Sequence, residues 1–277
     1  MTSTPDLLCG RYRLPLDRPL IMGIINCTPD SFSGDGTADD VARAVAQGRE
    51  FVAEGADILD IGGESSRPCA APVAADEELR RVMPVIEALR ECGVPLSIDT
   101  VKPDVMRAAL AAGASMINDI NALRAPGAME VAAGSNAAVC LMHMQGTPQT
   151  MQADPHYDDV VGEVAAFLAA RCAAVHAAGV ARERIVTDPG FGFGKTAEHN
   201  LLLLRHLDCI TALGYPVLAG LSRKSLLGKL TGRKVTERVP ASVAAALAAV
   251  AKGATIVRVH DVAATRDALA VWRTVFE

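Results

Sequence analysis

The sequence is poor in aromatic residues, which make up 4% of its 277 positions, and its seven cysteines include no C-x-x-C pair. Scarce aromatic residues and abundant alanine suit layers of helix packed closely on strand rather than a β-sandwich. An odd number of scattered cysteines indicates neither a disulfide framework nor a zinc site. These absences favour an α/β protein in a reducing compartment.

The sequence also lacks an excess of positive charge and long apolar runs. Lys and Arg number 27 against 32 Asp and Glu, with a formal net charge of −5, so no basic surface for nucleic acid is indicated. The N-terminus lacks the basic and apolar stretches of an export signal, and no run of about 18 apolar residues occurs, the closest approach being 241–256. We expect a cytoplasmic protein that binds neither nucleic acid nor membrane and acts on small molecules.

Short runs rich in Ile, Val and Leu alternate with segments of helical period, which is the pattern of βα units around a parallel sheet. The predicted strands are 20–25, 57–61, 95–99, 115–118, 138–143, 184–188, 216–220 and 255–259. The predicted helices are 39–54, 76–92, 104–111, 127–133, 160–178, 198–213, 242–251 and 264–275.

Eight such units in 277 residues predict an α/β fold in which the whole chain forms a single (β/α)8 (TIM) barrel domain. Its active site should lie at the C-terminal ends of the strands. A doubly wound open sheet is the alternative. Within the N-terminal segment 1–19, residues 11–19 are expected to form a small hairpin that plugs the barrel floor.

Polar side chains follow every predicted strand, at the end where a barrel gathers its active site. These candidates are Asn26, Glu64, Ser66, Arg67, Asp99, Asn118, His143, Asp188, Ser222, Lys224, Arg258 and His260. Each of them alone has an ordinary interpretation as a helix cap, a turn residue or a solvated loop residue. Together they exceed what burial alone would assemble, so they predict a polar pocket.

Four of these side chains suit a flat heterocycle with several N–H donors along one edge. Asp99, Asn118 and Asp188 offer carboxylate and amide groups, and a carboxylate can pair two parallel donors at once. Lys224 can donate to a ring carbonyl or nitrogen. The pocket therefore has the groups needed to bind and orient such a ring.

Other candidates suit a polyphosphate and a carboxylate. Arg258 and His260 lie two residues apart on an extended segment, so they point the same way and offer two cationic or donor groups. Asn26 could be the single protein ligand of a Mg²⁺ ion that is bound to substrate phosphates. The helix predicted to begin near Ser222 offers backbone N–H groups for a carboxylate.

The glycine-rich run DPGFGFGK at 188–195 lacks the spacing of a phosphate-binding loop, and its Phe side chains would obstruct a phosphate. We interpret this run as a wall of the pocket. Phe191 or Phe193 could stack on an aromatic ring there, and simple packing at the top of the barrel is the alternative for both.

Four motifs together resemble the signatures of the dihydropteroate synthase family. They are IINCTPDSFS at 24–33, DIGGESSRP at 60–68, DPGFGFGK at 188–195 and SRKS at 222–225. The resemblance extends from 20 to 269, in family order and spacing. It implies a transferase of folate biosynthesis and a target of sulfonamides. The implied reaction joins 6-hydroxymethyl-7,8-dihydropterin pyrophosphate to p-aminobenzoate, with release of pyrophosphate.

The resemblance also implies roles for individual residues. The implied catalytic residues are Asp99, Asp188, Lys224, Arg258 and His260, and the implied cofactor is Mg²⁺ held by Asn26. The pterin would be bound by Asp99, Asn118, Met142, Asp188 and Lys224, and the pyrophosphate by Asn26, Ser66, Arg258 and His260. The p-aminobenzoate would be bound by Phe32, Ser66, Arg67, Pro68, Phe193 and Ser222, with Asp30 on the first of two mobile loops. A homodimer is also expected.

Two positions depart from the family pattern. Ser66 stands where Thr is usual, which keeps the hydroxyl and loses a methyl contact, and 33–36 reads SGDG where Asp-Gly-Gly commonly follows the Ser. Two other functions compete with the implied one. A pterin-binding methyltransferase on the same barrel would need no cations for pyrophosphate, and a catalytically silent relative acting as a binding subunit would not need its functional positions filled.

Overall fold

The barrel strands form where the apolar runs predict them. The computed structural model describes residues 6–28, 38–67 and 70–276. Its strands are β1 Asp6–Cys9, β2 Tyr12–Pro15, β3 Leu20–Asn26, β4 Ile58–Gly62, β5 Leu96–Asp99, β6 Met116–Asp119, β7 Ala138–Met142, β8 Ile185–Asp188, β9 Leu218–Ala219 and β10 Ile256–Val259. Each predicted strand is present, although the one predicted at 216–220 is reduced to the two residues of β9.

The helices alternate with the barrel strands. They are α1 Ala38–Glu54, α2 Ala75–Leu89, α3 Pro103–Ala112, α4 Ala128–Ala133, α5 Val160–Ala177, α6 Ala197–Arg205, α7 Leu207–Thr211, α8 Ser225–Thr231, α9 Val239–Val250 and α10 Val262–Phe276. The single helix predicted at 198–213 is divided at His206, whose φ of −114° and ψ of 31° leave the helical region. The short helix α8 corresponds to the helix predicted to begin near Ser222, which is missing from the helices predicted by period because seven residues are too few to show a helical period.

The sheet closes into a barrel. Strands β3 to β10 are parallel and hydrogen-bonded in the order β8-β7-β6-β5-β4-β3-β10-β9. A further parallel bridge joins Thr187 to Val217, so β8 meets the strand that carries β9. Eight parallel strands in a ring with alternating helices are a (β/α)8 barrel, and the open doubly wound alternative is therefore wrong.

Outward side chains of the strands pack on the helices. Leu59 and Ile61 of β4 are buried in the same cluster as Val82 and Ile86 of α2. Because side chains alternate along a strand, Ile58 and Asp60 point instead into the barrel. This alternation decides which residues of the sequence motifs can meet inside the ring.

An antiparallel hairpin closes the N-terminal end of the barrel. β1 and β2 pair Asp6 with Pro15 and Cys9 with Tyr12, so the hairpin predicted at 11–19 begins earlier, at Asp6. Leu7 and Cys9 are fully buried. They pack in one cluster with the inward side chains Leu20, Met22, Ile58, Met116, Ala138, Cys140, Val186, Leu218 and Ile256. We call this cluster the floor.

Helix α5 is long and apolar enough, by length and composition alone, to cross a membrane. In the fold it packs on β7 and β8. Its buried side chains are Val160, Val164, Leu168, Cys172 and Val175. It is therefore a barrel helix, and the apolar run 241–256 is divided between α9 and β10.

Candidate active site at the C-terminal ends of the strands

The inward positions of the strands change from apolar to polar toward their C-terminal ends. Gly62, Asp99 and Asn118 are register neighbours on three consecutive strands, and Met142 is the register neighbour of Asp188. Register neighbours point to the same face of a sheet. Asp99, Asn118, Met142 and Asp188 therefore share one end of the barrel interior, which we call the mouth.

Arg258 lies in the mouth between two carboxylates. Its Nε donates to Asp60 Oδ2 at 2.6 Å, and its Nη2 donates to Asp99 Oδ2 at 2.8 Å. The Asn118 amide donates to the same Asp60 oxygen at 3.0 Å. Two predicted pterin-binding residues, Asp99 and Asn118, are thus joined to the predicted pyrophosphate-binding Arg258 in one network, Asp99 directly and Asn118 through Asp60.

Asp60 is the main residue of the network for which the sequence motifs predict no role. It lies in the middle of β4, within the DIGGESSRP motif, and its side chain is fully buried. A charged residue between Leu59 and Ile61 of a buried strand is costly unless it has partners. That cost is the feature of the sequence that could have identified Asp60.

The network leaves one positive charge among several carboxylates. Burial raises the pKa of Asp99 to about 7, although the neighbouring Arg258 guanidinium acts to lower it. Burial also acts to lower the pKa of Arg258, but the Asp60 and Asp99 carboxylates outweigh it and raise that pKa. Arg258 therefore stays charged, and protonation of Asp99 is shifted toward neutral pH.

Asp188 and Lys224 form a second polar group in the mouth. Asp188 Oδ1 accepts the Gly190 N–H at 2.7 Å. Burial raises the pKa of Asp188, and Lys224 opposes that shift. Burial lowers the pKa of Lys224 to about 8, and Asp188 opposes that shift in turn. The Lys224 ammonium donates to the Phe191 carbonyl and lies 4.7 Å from the centroid of the Phe193 ring.

The two phenylalanines of the 188–195 run have different surroundings. Phe191 is 1% exposed and belongs to the core cluster around α6 and α7, in agreement with the packing alternative. Phe193 packs partly buried against the cluster of Met142, Met144 and Met151. Phe193, beside the Lys224 ammonium, is therefore the better candidate for stacking on a bound ring.

A buried lysine holds the turn that follows Asp188. Lys195 Nζ lies 3.0 Å from the carbonyl oxygens of Gly190 and Phe193 and 3.0 Å from His143 Nδ1. Burial lowers the pKa of Lys195 to about 7 and that of His143 to about 3. His143, a candidate from its strand end, is therefore a neutral partner of this anchor. None of the sequence motifs indicates a role for Lys195.

His260 and Ser222 contact each other at the mouth. Ser222 Oγ lies 3.0 Å from His260 Nδ1 and accepts the His260 backbone N–H at 3.2 Å. Burial, followed by the charge of Arg258, lowers the pKa of His260 to about 4. The imidazole is therefore neutral near pH 7. Of the predicted pair, Arg258 supplies a positive charge and His260 supplies a hydrogen-bonding group.

The helix predicted to begin near Ser222 begins three residues later, at Ser225. Residues before it form a turn in which Arg223 has a φ of 57°. This left-handed conformation is uncommon for a residue other than glycine. The turn is stabilised by the Arg223 N–H, which donates to Ser242 Oγ at 2.9 Å, and by the Arg223 Nε, which donates to Asp261 at 3.0 Å.

The base of the second loop is fixed by a partly buried cation. The Lys102 ammonium donates to Glu64 and to Glu78 Oε2, the latter at 2.5 Å. Glu64 also accepts the Val73 N–H at 2.9 Å, across the loop. The segment that leads to Ser66 therefore leaves the barrel from a fixed point.

The loop residues themselves are partly described. Ser66 and Arg67 follow the fixed base, and Arg67 lies near enough to His260 for its charge to contribute to the lowered pKa of the imidazole. Predicted site residues that lie outside the described residues are Asp30, Phe32 and Pro68.

The described donors fit a metal that arrives with a phosphate ligand. Among the described residues there is no group of three or more His, Cys, Asp or Glu side chains that could hold a metal ion. Asn26 ends β3 and is the register neighbour of Gly62, which places it in the same polar layer as Asp99. One amide oxygen is enough for Mg²⁺ when phosphates and water complete its coordination.

Known proteins share this fold and these motifs. Residues 22–260 match the family described as "Pterin binding enzyme". The chain is 54% identical over 270 residues to dihydropteroate synthase of Neisseria meningitidis serogroup B, covering 95% of each protein. Two structures of dihydropteroate synthase of Xanthomonas albilineans are similar to the chain, each over 98% of both proteins. The structure with 4-aminobenzoic acid gives a TM-score of 0.93 at 56% identity, and the structure with 7,8-dihydropteroate gives a TM-score of 0.89 at 54% identity. The chain belongs to the dihydropteroate synthase family.

Proposed function

We propose that the protein condenses 6-hydroxymethyl-7,8-dihydropterin pyrophosphate with p-aminobenzoate, giving 7,8-dihydropteroate and pyrophosphate. The observation that carries the proposal is the mouth, where Asp99, Asn118, Asp188 and Lys224 gather beside the charged Arg258. The Xanthomonas relative, which binds 4-aminobenzoic acid and 7,8-dihydropteroate in its structures, supports p-aminobenzoate as one substrate and 7,8-dihydropteroate as the product.

The pterin fits the carboxylates and the lysine of the mouth. Asp188 is buried with one oxygen already bonded to Gly190, and its other oxygen can accept an N–H donor of the ring. Asn118 can donate and accept, and Lys224 can donate to the ring carbonyl. Asp99 and Asp188 also place negative charge near a ring that becomes electron-poor as the bond from its methylene group to oxygen breaks.

Departure of pyrophosphate is the demanding part of the reaction. The C–O bond of the pterin methylene breaks, its electron pair leaves with pyrophosphate, and the amine of p-aminobenzoate forms the new C–N bond and then loses a proton. An aryl amine is nucleophilic without a strong base. Arg258 supplies charge for the departing oxygens and His260 a hydrogen bond, so these residues act where negative charge grows.

A Mg²⁺ ion bound to the pyrophosphate would add positive charge at the same oxygens. Asn26, Ser66, Arg258 and His260 are the side chains we propose around this group. Because the described donors do not form a resident metal centre, the affinity for Mg²⁺ should depend on pyrophosphate. Calorimetry with Mg²⁺ alone and with pyrophosphate tests this point.

We place p-aminobenzoate at the rim, between the second loop and the turn before α8. Arg67 lies close to His260, and His260 bonds Ser222, so these residues border one opening. Phe193 offers an aromatic face, and Phe32 and Pro68 complete the proposed set. Sulfonamides, which share the aryl amine, are then expected to compete for this site.

Two competing functions differ in what they would need. A pterin-binding methyltransferase has no use for Arg258 and His260 beside the pterin carboxylates. A silent binding subunit would tolerate empty positions, whereas Asp99, Asn118, Asp188, Lys224, Arg258 and His260 are all present. These residues favour the synthase.

A release assay tests the proposal. The protein is mixed with the pterin pyrophosphate, p-aminobenzoate and Mg²⁺, and pyrophosphate is measured. We expect release that requires both substrates and Mg²⁺ and that a sulfonamide inhibits. Pterin binding without release would favour the silent subunit, and methyl transfer from a methylated pterin would favour the methyltransferase.

We also propose a cytoplasmic homodimer. Helix α10 exposes Val271, Val275 and Phe276, each at least 66% exposed, and a second copy could cover this apolar surface. Light scattering of the purified protein measures its mass directly. A monomeric mass at micromolar concentration would contradict the dimer.

A further inference from the structure

Asp60 contacts both halves of the proposed substrate site although it is not assigned to either half. Its Oδ2 accepts the Arg258 Nε–H at 2.6 Å and the Asn118 Nδ2–H at 3.0 Å. Arg258 is a proposed pyrophosphate-binding residue, and Asn118 is a proposed pterin-binding residue. One carboxylate oxygen therefore joins the two groups.

Asp60 is more deeply buried than the two residues it contacts. The Asp60 side chain has no exposed surface, whereas the Arg258 side chain is 21% exposed and Asn118 is 5% exposed. β4 lies between β3 and β5 in the sheet, with Asp60 in register with Ile24 and Ser97. A buried side chain on a central strand keeps one rotamer more readily than a side chain at a rim.

We propose that Asp60 is a positioning residue of the reaction, which fixes the Arg258 guanidinium and the Asn118 amide relative to each other. It acts below the substrates and through these two side chains. The identity of the substrates that Arg258 and Asn118 bind rests on the proposed function. Its physical basis is that small displacements of a charge stabiliser lower the rate steeply.

Loss of the Asp60 charge should weaken its contact with Arg258. Asp60→Asn keeps the shape of the side chain, but the amide is neutral and can offer Arg258 only a neutral acceptor. Asp99 would then be the remaining anionic partner of Arg258 in the described network, so the guanidinium is expected to shift toward Asp99. The binding of p-aminobenzoate, proposed at the rim, should change little.

A matched control exists at the opposite end of the same strand. Asp57, just before β4, is likewise paired with an arginine, and it accepts two bonds from Arg18, at 2.9 Å and 2.5 Å. Asp57 lies beside the floor rather than the mouth. There it also accepts the Ile21 backbone N–H at 2.9 Å. Asp57→Asn therefore weakens a similar ion pair without touching the site.

The first measurement separates positioning from stability. We expect Asp60→Asn to lower kcat/KM for the pterin pyrophosphate by about tenfold or more, with the KM for p-aminobenzoate within about threefold of the parent. Asp57→Asn should keep both constants within about threefold while lowering the melting temperature. Equal kinetic constants in Asp60→Asn and the parent would overturn the inference.

A double-mutant cycle tests whether Asp60 acts through Arg258. In an Arg258→Gln background, Asp60→Asn should cost less than about threefold in kcat/KM, because residues of one network are not additive. A full additional loss would overturn the proposed route through Arg258. If the Arg258→Gln background has no measurable turnover, binding of inorganic pyrophosphate with Mg²⁺ gives the same cycle by calorimetry.

A spectroscopic measurement keeps the inference distinct from the proposed function. The Arg258 Nε–H resonance, assigned by its loss in Arg258→Lys, should exchange slowly with water in the parent and in Asp57→Asn, and rapidly in Asp60→Asn. Slow exchange in Asp60→Asn would overturn the inference. If the parent forms no dihydropteroate, the proposed function fails, and this resonance still decides whether Asp60 fixes Arg258.

Discussion

The two ends of the barrel interior are built on the same strands and differ in what they contain. At the floor, Leu7 and Cys9 of the hairpin pack against inward side chains such as Met22 and Ile58. Two residues further along β4, β6, β8 and β10, at the mouth, the inward side chains are the charged or amide groups Asp60, Asn118, Asp188 and Arg258. β4 carries both, since Ile58 belongs to the floor and Asp60 to the mouth.

This difference separates stability from chemistry. An apolar side chain in the floor contributes by being removed from water, roughly 1.5 to 3 kcal/mol for a fully buried Leu or Met. A charge in the mouth is costly to bury and needs partners. Changes at the floor should therefore reduce stability with little effect on the reaction, and changes at the mouth should affect the reaction first.

Arg258→Ala should have the largest effect, because it affects both properties. Removing one partner of a buried ion pair commonly costs about 3 to 5 kcal/mol, and here the Asp60 and Asp99 carboxylates would both be left without it. Urea denaturation and pyrophosphate release measure the two losses. Arg18→Ala is the control, since its pair with Asp57 is 41% exposed on the arginine side and solvent screens it. Equal stability losses would contradict the contrast between the two ends.

Leu7→Ala tests the floor. Leu7 is fully buried, and Leu→Ala in a core costs about 2 to 5 kcal/mol of unfolding free energy. The folded variant should keep the parent's kcat/KM, measured at a temperature where it stays folded. Leu14→Ala, at a partly buried position of the same hairpin, should cost less. A loss of kcat/KM without a loss of stability would show that the floor takes part in the reaction.

Asp188→Asn should weaken pterin binding by roughly 1 to 3 kcal/mol, because a buried donor of the ring loses its partner. Binding of p-aminobenzoate should be unaffected. Asp119→Asn is a matched control: Asp119 is also buried at a strand end and accepts backbone N–H groups, from Asn121 and Leu123, but it points away from the face of Asn118. If Asp188→Asn binds the pterin within a factor of about three of the parent, a difference of less than about 1 kcal/mol in binding free energy, Asp188 is not the pterin anchor.

His260 should take up a proton when pyrophosphate binds. Its pKa in the free protein is lowered to about 4, and a bound anion should raise it. Between those two values the bound form holds more protons, so the pyrophosphate affinity of the parent, relative to His260→Gln, should rise as pH falls. The slope should stay below about 1.4 kcal/mol per pH unit, the limit for one proton.

Calorimetry in two buffers of different ionisation enthalpy measures that uptake at pH 5.5 and at pH 8. The difference between the parent and His260→Gln removes the protonation of pyrophosphate itself. Equal uptake by both proteins at pH 5.5 would contradict a role for His260 at the phosphates. A phosphate-free pterin should bind both proteins equally.

The smallest effect is expected at Cys27, which follows Asn26. Burial raises the pKa of this thiol to about 12, so its alkylation should be slow beside that of the exposed Cys209. If the first loop closes over bound pyrophosphate and pterin, labelling of Cys27 should slow further. Mass spectrometry of alkylated peptides resolves each site. Equal rates with and without ligands would remove this support for closure, and Cys69, the other cysteine of the loops, lies outside the described residues.

Much of the site could be predicted because each polar strand end stands beside an apolar run. Asp99 and Asp188 end their strands, so the barrel rule brings them to one face. Asp60 and Lys195 could not be assigned in this way. Asp60 lies inside an apparent core strand, and Lys195 acts through the carbonyl groups of Gly190 and Phe193, which have no specific sequence pattern.

The charge state of the site also could not be predicted from the sequence. Arg258 and His260 look like two equivalent cations two residues apart. In the fold, burial and the charge of Arg258 lower the pKa of His260 to about 4, while two carboxylates keep Arg258 charged. A pKa depends on desolvation and on the distance to other charges, and both are set by packing.

The sequence by itself determined the eight βα units, the end of the barrel that holds the site and the chemical groups that gather there. It could do so because strand alternation and strand ends are local properties. Only the tertiary structure decided that Asp60 joins Arg258 to Asn118 and that His260 is neutral. Those outcomes depend on side chains up to 198 positions apart in the sequence, whose contacts and desolvation exist only after the ring has closed.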